Sequence, residues 1–259
     1  MKFSEKMIRV AFGMLIGGSI IAGSSYIAGA CTSVSFDNGA IQLHKNDKVI
    51  TLNSLNYNPG QSKEINEELS AFDEIKMDVD CMDVEIVSGD SFKIEANYYE
   101  KEEKISYEVK DGTLYVEQKL LRKNNNHGGG IEAYIKIYVP RDTKLKETEI
   151  VNECGNVKVA KIEIANLNVK TDAGNIEISG KFSGDNEILT EAGNIKMQLI
   201  DTKRKDFNYD VETAMGELYL EEKTIENEYA FGGHIEEDND ADNDLKVKTE
   251  VGNIEITLK

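Results

Sequence analysis

The chain has 259 residues, enough for one large or two small domains, and 40% of them are hydrophobic, so a core can be built. Its 48 acidic and 30 basic residues leave a formal charge of −18, which repels phosphate backbones and anionic headgroups, disfavours nucleic-acid binding, and leaves either a solvated, self-repelling surface or one that draws cations and basic partners. Three cysteines (Cys31, Cys81, Cys154), with no Cys-x-x-Cys pair, are too few for a disulfide scaffold; the low count remains compatible with an exported protein.

Lys2, Lys6 and Arg9 precede an uncharged stretch of 21 residues from Val10 to Ala30, and Asp37 is the first charge beyond it. A helix crossing the hydrocarbon core needs about 20 residues. One-sided cations set the N-terminus inside and everything past Ala30 outside. Residues 1–31 are therefore expected to be a membrane anchor or signal segment, with three fates open. The stretch stays as one transmembrane helix, to which Gly13, Gly17, Gly18 and Gly23 are suited. It is cleaved after the small-x-small pattern Ala28-Gly29-Ala30. Or Cys31 is lipidated, because Ala28-Gly29-Ala30-Cys31 resembles a lipobox, with Ala28 where a large aliphatic residue is usual. In each case the rest of the chain is exported; the expected place is the cell membrane, single-pass, with the C-terminal domain extracellular.

Residues 32–70 mix polar and apolar signals around a turn at Asn58-Pro59-Gly60. They read as a stalk with one strand near Lys48–Leu52 and a short helical turn at Glu64–Leu69. Residues 71–259 read as one strand-rich domain. Strands are expected at Glu74–Val79, Asp83–Val87, Phe92–Tyr99, Ile105–Val109, Thr113–Gln118 and Ala133–Val139. Gly89-Asp90 and Asp111-Gly112 mark tight hairpin turns, and Lys123–Gly130 is a flexible loop. This part is expected to be an antiparallel front end that caps the remainder of the domain, because an open repeat exposes unpaired backbone edges.

The remainder is a repeat. Ala173-Gly174-Asn175-Ile176-Glu177-Ile178 recurs as Cys154-Gly155-Asn156-Val157-Lys158-Val159, as Ala192-Gly193-Asn194-Ile195-Lys196-Met197, as Met215-Gly216-Glu217-Leu218-Tyr219-Leu220 and as Val251-Gly252-Asn253-Ile254-Glu255-Ile256. A degenerate copy sits at Gly233-His234-Ile235-Glu236, and an early one, Met82-Asp83-Val84-Glu85-Ile86, lacks the Gly. The glycines at 155, 174, 193, 216, 233 and 252 are spaced 19, 19, 23, 17 and 19 apart. A period near 20 is one turn of a β-solenoid. Gly supplies a sharp corner, and Asn tolerates it and bonds turn backbone. The alternating aliphatics after the corner give a strand with one buried face. A second strand precedes it: Thr171, Thr190, Thr213 and Thr249 lie three residues before their Gly, with Val169, Ile188, Val211 and Val247 two residues earlier and Leu167, Asn186, Tyr209 and Leu245 two earlier again. The fold class expected is thus all-β, a β-solenoid of parallel rungs of about 19 residues behind the antiparallel part. Stacked in register, the Asn residues form a ladder. The outward residues Lys158, Glu177 and Lys196 alternate in sign, which stabilises neighbouring strands.

Val84-Glu-Ile-Val-Ser-Gly-Asp, Val109-Lys-Asp-Gly-Thr-Leu-Tyr-Val and the serial Thr-x-x-Gly-Asn-Ile-x-Ile copies together resemble the bacterial "putative adhesin" family, a β-strand-repeat domain of unknown function numbered 4097. The resemblance covers about residues 70–259. It implies an envelope protein with one N-terminal membrane segment, some relatives being encoded beside envelope-stress regulators, and it brings no catalytic residues. The degenerate copy departs from the pattern by placing Glu237 at an inward aliphatic position, so that end is expected to be looped out or less well packed.

Chemistry-bearing constellations are sparse. His44, His127 and His234 fall in no catalytic motif, and no phosphate-binding Gly loop or Gly-x-Ser-x-Gly exists. Glu177, Glu255, Lys158 and Lys196 form an outward face of the kind β-helix carbohydrate enzymes use, and read equally as a charge ladder. Asp238, Asp240, Asp242 and Asp244 lie in a run that begins like a calcium loop, then departs at Asn243 and Thr249; an acidic solvated loop is the other reading, and no other cofactor is expected. Cys81 and Cys154 hold equivalent repeat positions, so adjacent rungs would permit a disulfide, and separate buried thiols are the alternative. The residues carrying the architecture are Gly155, Asn156, Gly174, Asn175, Gly193, Asn194, Gly216, Gly252 and Asn253. The expected function is a non-catalytic binding or adhesin-like module whose partners are the membrane, through its N-terminus, and a protein or envelope polymer, without nucleic acid. The alternatives are an envelope-stress regulatory or structural protein touching a neighbouring membrane protein, and a β-helix carbohydrate-active enzyme.

Overall fold

The computed structural model describes residues 33–37, 40–45, 48–52, 61–121, 133–221, 223–225 and 232–259, the stretches before 61 and at 223–225 by their backbone only. The expected membrane segment, Cys31, the Lys123–Gly130 loop and His127 lie outside the described residues. Among those described, no helix is long and apolar enough to cross a membrane. The described residues from 33 to 52 and those from 61 onward belong to two separate compact units. In the first, β1 (Ser33–Asp37), β2 (Ala40–Lys45) and β3 (Lys48–Leu52) form a three-stranded antiparallel sheet.

The second unit opens with β4 (Ser62–Glu68), β5 (Glu74–Cys81), β6 (Asp83–Gly89), β7 (Lys93–Tyr99), β8 (Glu103–Lys110), β9 (Thr113–Leu120) and β10 (Tyr134–Pro140). It continues with β11 (Lys144–Leu145), β12 (Glu147–Cys154), β13 (Val157–Ile164), β14 (Leu167–Ala173), β15 (Ile176–Phe182), β16 (Asp185–Ala192) and β17 (Ile195–Leu199). It closes with β18 (Asn208–Met215), β19 (Leu218–Leu220), β20 (Lys223–Ile225), β21 (Gly233–Glu237), β22 (Asp244–Val251) and β23 (Ile254–Leu258). Two mixed sheets result. One, of 11 strands, runs β20-β19-β23-β17-β15-β13-β6-β10-β7-β4 with β11 beside β13; the other, of nine, runs β21-β18-β22-β16-β14-β12-β5-β9-β8. Their inward aliphatics, among them Val157, Val159, Ile176, Ile178, Val169 and Ile188, are buried in one continuous cluster. The period-two pattern has therefore set which side of each strand faces the core.

Each repeat gives one strand to each sheet, joined at the Gly corner. At these corners the rungs touch through backbone: a Cβ on Gly174 would lie 2.0 Å from the Gly155 carbonyl oxygen, and one on Gly252, at φ +152°, 1.9 Å from that of Gly193. The Asn ladder is present. Asn156 Oδ1 accepts from the Asn175 N–H (3.1 Å), Asn175 Oδ1 from Asn194 (3.0 Å), Asn194 Oδ1 from Asn253 (2.8 Å), and Asn253 Oδ1 from Glu217 (2.8 Å). Asp83 Oδ1 starts the series by accepting from Asn156 (2.7 Å). The Thr before the corner has a role too: Thr249 Oγ1 donates to the Gly193 carbonyl (3.0 Å) and Thr213 Oγ1 to that of Gly252 (2.7 Å).

Four expectations are revised. First, the rungs do not stack in sequence order: the last one, β22/β23, lies between β16/β17 and β18/β19. This order sets Lys196 beside Glu255 rather than Tyr219, with Nζ 3.0 Å from Oε2. Read in space, the outward row is Glu95, Lys136, Glu85, Lys158, Glu177, Lys196, Glu255, a full alternation of sign. Second, the front end is only partly antiparallel. β5 and β6 run parallel to β12 and β13, and β9 and β10 parallel to β5 and β6; β4, β7 and β8 are the antiparallel members. The Gly-less copy at Met82 is thus a corner of the stack beside that of Gly155, where an added Cβ would meet the Met82 carbonyl, and Met82 is buried.

Third, Glu64–Leu69 is no helical turn. Ser62–Glu68 is strand β4, paired with β7 from Ser62↔Tyr99 to Glu68↔Lys93. Backbone pairing with an exposed strand overrides the helix preference of a Glu-rich segment. Fourth, Glu237 is well anchored. β21 pairs antiparallel with β18, and Arg204 grips the Glu237 carboxylate through Nε (2.8 Å) and Nη2 while its Nη1 reaches Glu221 (3.0 Å). An ion cluster closes an end that was expected to be looped out or less well packed.

Candidate binding face

Along the 11-stranded sheet the outward charges neutralise one another from rung to rung, so that face offers little unmatched chemistry. The nine-stranded sheet differs at its β8-β9-β5-β12 end. There the outer surface forms an open groove of about 750 Å³ whose lining includes Lys76, Asp78, Glu108, Tyr115, Glu117 and Glu149, together with Ser106, Tyr107 and Val151. Tyr115 is 43% exposed and Val151 38%. They stand on β9 and β12, on either side of β5, whose outward Lys76 and Asp78 lie between them. The Asp111-Gly112 turn, with both residues at positive φ (52° and 83°), is the left-handed hairpin turn the sequence suggested. It fixes the register that sets Glu108 opposite Tyr115 and Ser106 opposite Glu117.

The groove is acidic: Asp78, Glu108, Glu117 and Glu149 face Lys76 alone among its lining residues. Lys76 Nζ leans 3.6 Å toward Glu147. Lys119, on the rim, bonds both Asp78 (3.0 Å) and Asp80 (3.2 Å), which raises its pKa. The Tyr107 hydroxyl is pushed up to about 12 by burial and by its hydrogen bond to Glu67, so it stays a neutral donor. This arrangement offers an aromatic plate, an aliphatic contact and several carboxylate acceptors, a set suited to a ligand presenting hydroxyl or ammonium donors. No sequence motif marks the groove. Its signal lies in strand phase: Tyr115 and Val151 are large apolar residues in the outward phase of strands whose inward phase is already filled by Leu114, Val116 and Ile150.

The other marked residues fall elsewhere. Asp238, Asp240, Asp242 and Asp244 are not brought together. The loop is shaped by asparagines: Asn208 Oδ1 accepts from Asn239 and Ala241, Asn239 Nδ2 donates to Phe207, and Asn243 Nδ2 to Asp206. Asp238 Oδ1 accepts from the Asp240 N–H and Asp244 Oδ1 from Asn208 Nδ2. Among the described residues no three His, Cys, Asp or Glu side chains are grouped as a metal would require. His234 Nε2 lies 3.3 Å from Asp210, at the far end of the nine-stranded sheet. Glu177, Glu255, Lys158 and Lys196 are consecutive members of the alternating ladder. Cys81 and Cys154 do lie on adjacent rungs and are joined by a disulfide, with Cα atoms 4.4 Å apart.

Residues 72–259, which carry the Gly-Asn corners, match the Toastrack family model, domain of unknown function 4097. The chain belongs to that family. Among solved structures, this Toastrack chain is similar to a "putative cell adhesion protein" from Clostridium sporogenes ATCC 15579, at 21% identity and a TM-score of 0.52, covering 77% of this chain and 100% of that one. It is also similar to a "putative adhesin" from Bacteroides fragilis NCTC 9343, at 12% identity and a TM-score of 0.36, covering 76% and 98%. The first likeness is one of fold. No curated protein matches the chain.

Proposed function

We propose that this Toastrack chain is a non-catalytic binding module of the bacterial envelope, held at the outer face of the cell membrane by its N-terminal segment. On this reading it engages a protein or envelope polymer through the groove on its nine-stranded sheet. The observation that carries the reading is Tyr115 and Val151 standing exposed over an acidic floor, on a scaffold whose other sheet face is neutralised by its own alternating charges. The one-sided cations before Val10–Ala30 support the location. The Cys81–Cys154 disulfide supports it too, since such bonds persist outside the reducing cytosol. The lack of a recognised catalytic motif around His44, His127 and His234 supports a role without chemistry.

The test is capture. The full chain is offered the organism's own solubilised membrane proteins, foreign cell surfaces, and arrays of neutral, amino-bearing and anionic glycans, alongside a Tyr115→Ser/Val151→Thr chain. Retention of hydroxyl- or amino-bearing surfaces by the first and about a tenfold loss in the second is expected. Equal retention by both would remove the groove from the reading. Capture of a single native membrane protein, insensitive to the two substitutions, would replace it with a regulatory contact.

A further inference from the structure

We propose that the chain self-associates through the free edge of β8, two copies pairing antiparallel about Ser106 so that their nine-stranded sheets become one continuous sheet. This goes beyond the binding reading and does not depend on it. The nine-stranded sheet ends at β8, which among the described residues pairs with β9 and with no other strand. Such edges are usually blunted by shortness, proline, a bulge or charged side chains. β8 is eight residues long, without Pro and in unbroken register with β9; it does carry charges, Glu103 inward and Lys104, Glu108 and Lys110 outward, and the outward ones are of both signs, so a second copy can match them. The other edges are unsuited. β20 is three residues long, β21 five with Gly233 at its start, and β4 carries Glu64, Glu67 and Glu68 against one lysine, so self-pairing would oppose like charges.

The pairing has one permitted register. The two-residue turn at Asp111-Gly112 closes on the hydrogen-bonded pair Lys110↔Thr113, so bonded pairs recur at every second residue, and the Leu121 N–H to Glu102 carbonyl bond (2.7 Å) agrees. The N–H and C=O groups of Glu103, Ile105, Tyr107 and Val109 therefore point to the free edge. Two such edges mate only where odd residues face odd residues. Centred on Ser106, the pairing sets Lys104 opposite the second copy's Glu108 and Glu108 opposite its Lys104, all on the exposed face. It sets Ile105 opposite Tyr107 on the core-facing side. It also sets Glu103 opposite Val109. A shift of two residues in one direction opposes Lys104 with Lys110; in the other it opposes Glu108 with Glu102 and leaves Lys104 facing Ser106. Charge and apolar complementarity therefore select the Ser106-centred register and disfavour its neighbours. The dyad also brings the two grooves side by side, since Ser106 and Glu108 line each.

Ser106 would face its own copy as a non-hydrogen-bonded pair, with Cα atoms about 4.5 Å apart, close enough for a disulfide. The test uses the full chain carrying Cys31→Ser, solubilised in detergent. Under mild oxidation the Ser106→Cys chain is expected to run as a cross-linked dimer on a non-reducing gel. Lys104→Cys and Glu108→Cys chains are expected to stay monomeric alone and to cross-link when mixed. In sedimentation, Lys104→Glu is expected to weaken association about tenfold, and Lys104→Glu/Glu108→Lys to restore it. Circular dichroism checks that each exposed-site variant is folded. A folded Ser106→Cys chain that cross-links no faster than Lys104→Cys, or a mixture that fails to cross-link, would overturn the proposal, as would a charge swap that does not rescue.

Discussion

Replacing Gly252 by Ala tests the claim that rungs are held at backbone distance. The new Cβ would lie 1.9 Å from the Gly193 carbonyl oxygen, where carbon and oxygen normally stay about 3.3 Å apart. The corner must then retreat by more than an ångström. Beside the Thr249 hydroxyl's bond to the Gly193 carbonyl (3.0 Å), three backbone N–H groups bond across that gap: Gly193 N–H to Val251 (2.9 Å), Ile195 N–H to Asn253 (2.9 Å) and Asn253 N–H to Asn194 Oδ1 (2.8 Å). Losing all three, at about 0.5–1.5 kcal/mol each, costs roughly 2–5 kcal/mol, a large share of an ordinary domain's stability of about 5–15 kcal/mol. Urea unfolding followed by circular dichroism measures it. The control is Gly89→Ala, where the added carbon would lie 3.0 Å from Tyr138 Cβ and the neighbour need give by only a few tenths of an ångström; about 1 kcal/mol is expected there. Equal losses for the two variants would refute the backbone-contact account of the corners.

The same geometry sets three further outcomes. Asn175→Ala removes the acceptor for the Asn194 N–H and should cost about 1 kcal/mol in urea unfolding, whereas Asn175→Asp should cost less, because Asp83 already fills that role at the first corner. Reducing the Cys81–Cys154 bond frees a loop of 73 residues, and loop-closure entropy sets the loss at about 4 kcal/mol; an unchanged urea midpoint after reduction would count against it. Glu103 is buried, which raises its carboxyl pKa. A raised folded pKa gives stability that is full below the unfolded value, about 4.3, and is lost as pH climbs through the folded value. Glu103→Gln should therefore stabilise the chain at pH 7 and change little at pH 4; a destabilised variant at pH 7 would reverse that sign.

Period-two patterning and the Gly-Asn text made the rungs legible because burial on one face and a sharp corner demand particular residues at fixed spacing. The six strands expected between residues 74 and 139 are all present for the same reason. Rung order was not legible. Nothing in the Val251-Gly252-Asn253 copy says whether its neighbour is the copy before it in the chain, since every corner offers the same contacts. The outward row did hold a clue: Lys196 beside Tyr219 breaks the alternation of sign, and Lys196 beside Glu255 restores it. β4 escaped notice because an edge strand with one half-buried aliphatic, Ile65, carries almost no hydrophobic pattern. The groove escaped because its members lie far apart in sequence, on strands brought together by β5 pairing with both β9 and β12.

The inner place of the last rung is explained by what the ends of the stack require. β18/β19 carries its own covers, β21 and β20 running antiparallel beside it, and the Arg204 cluster holds them. β22/β23 brings no cover and so has its place between two rungs. A chain ending at Asp238 would lack Leu245, Val247, Ile254 and Ile256, all buried to 1% exposure or less. At about 1.5–3 kcal/mol each, their burial contributes roughly 6–12 kcal/mol, comparable to the whole stability of a domain. A repeat array stacked in sequence order would lose its final rung and keep the rest, because each repeat leans only on its neighbours. Here β18/β19 would lose its parallel partner, and β16/β17 would be left with an open edge. The truncated chain should therefore unfold cooperatively or fail to fold, with a protease-sensitive core, while a truncated chain that keeps its remaining β signal and melts slightly earlier would show that the inserted rung is dispensable.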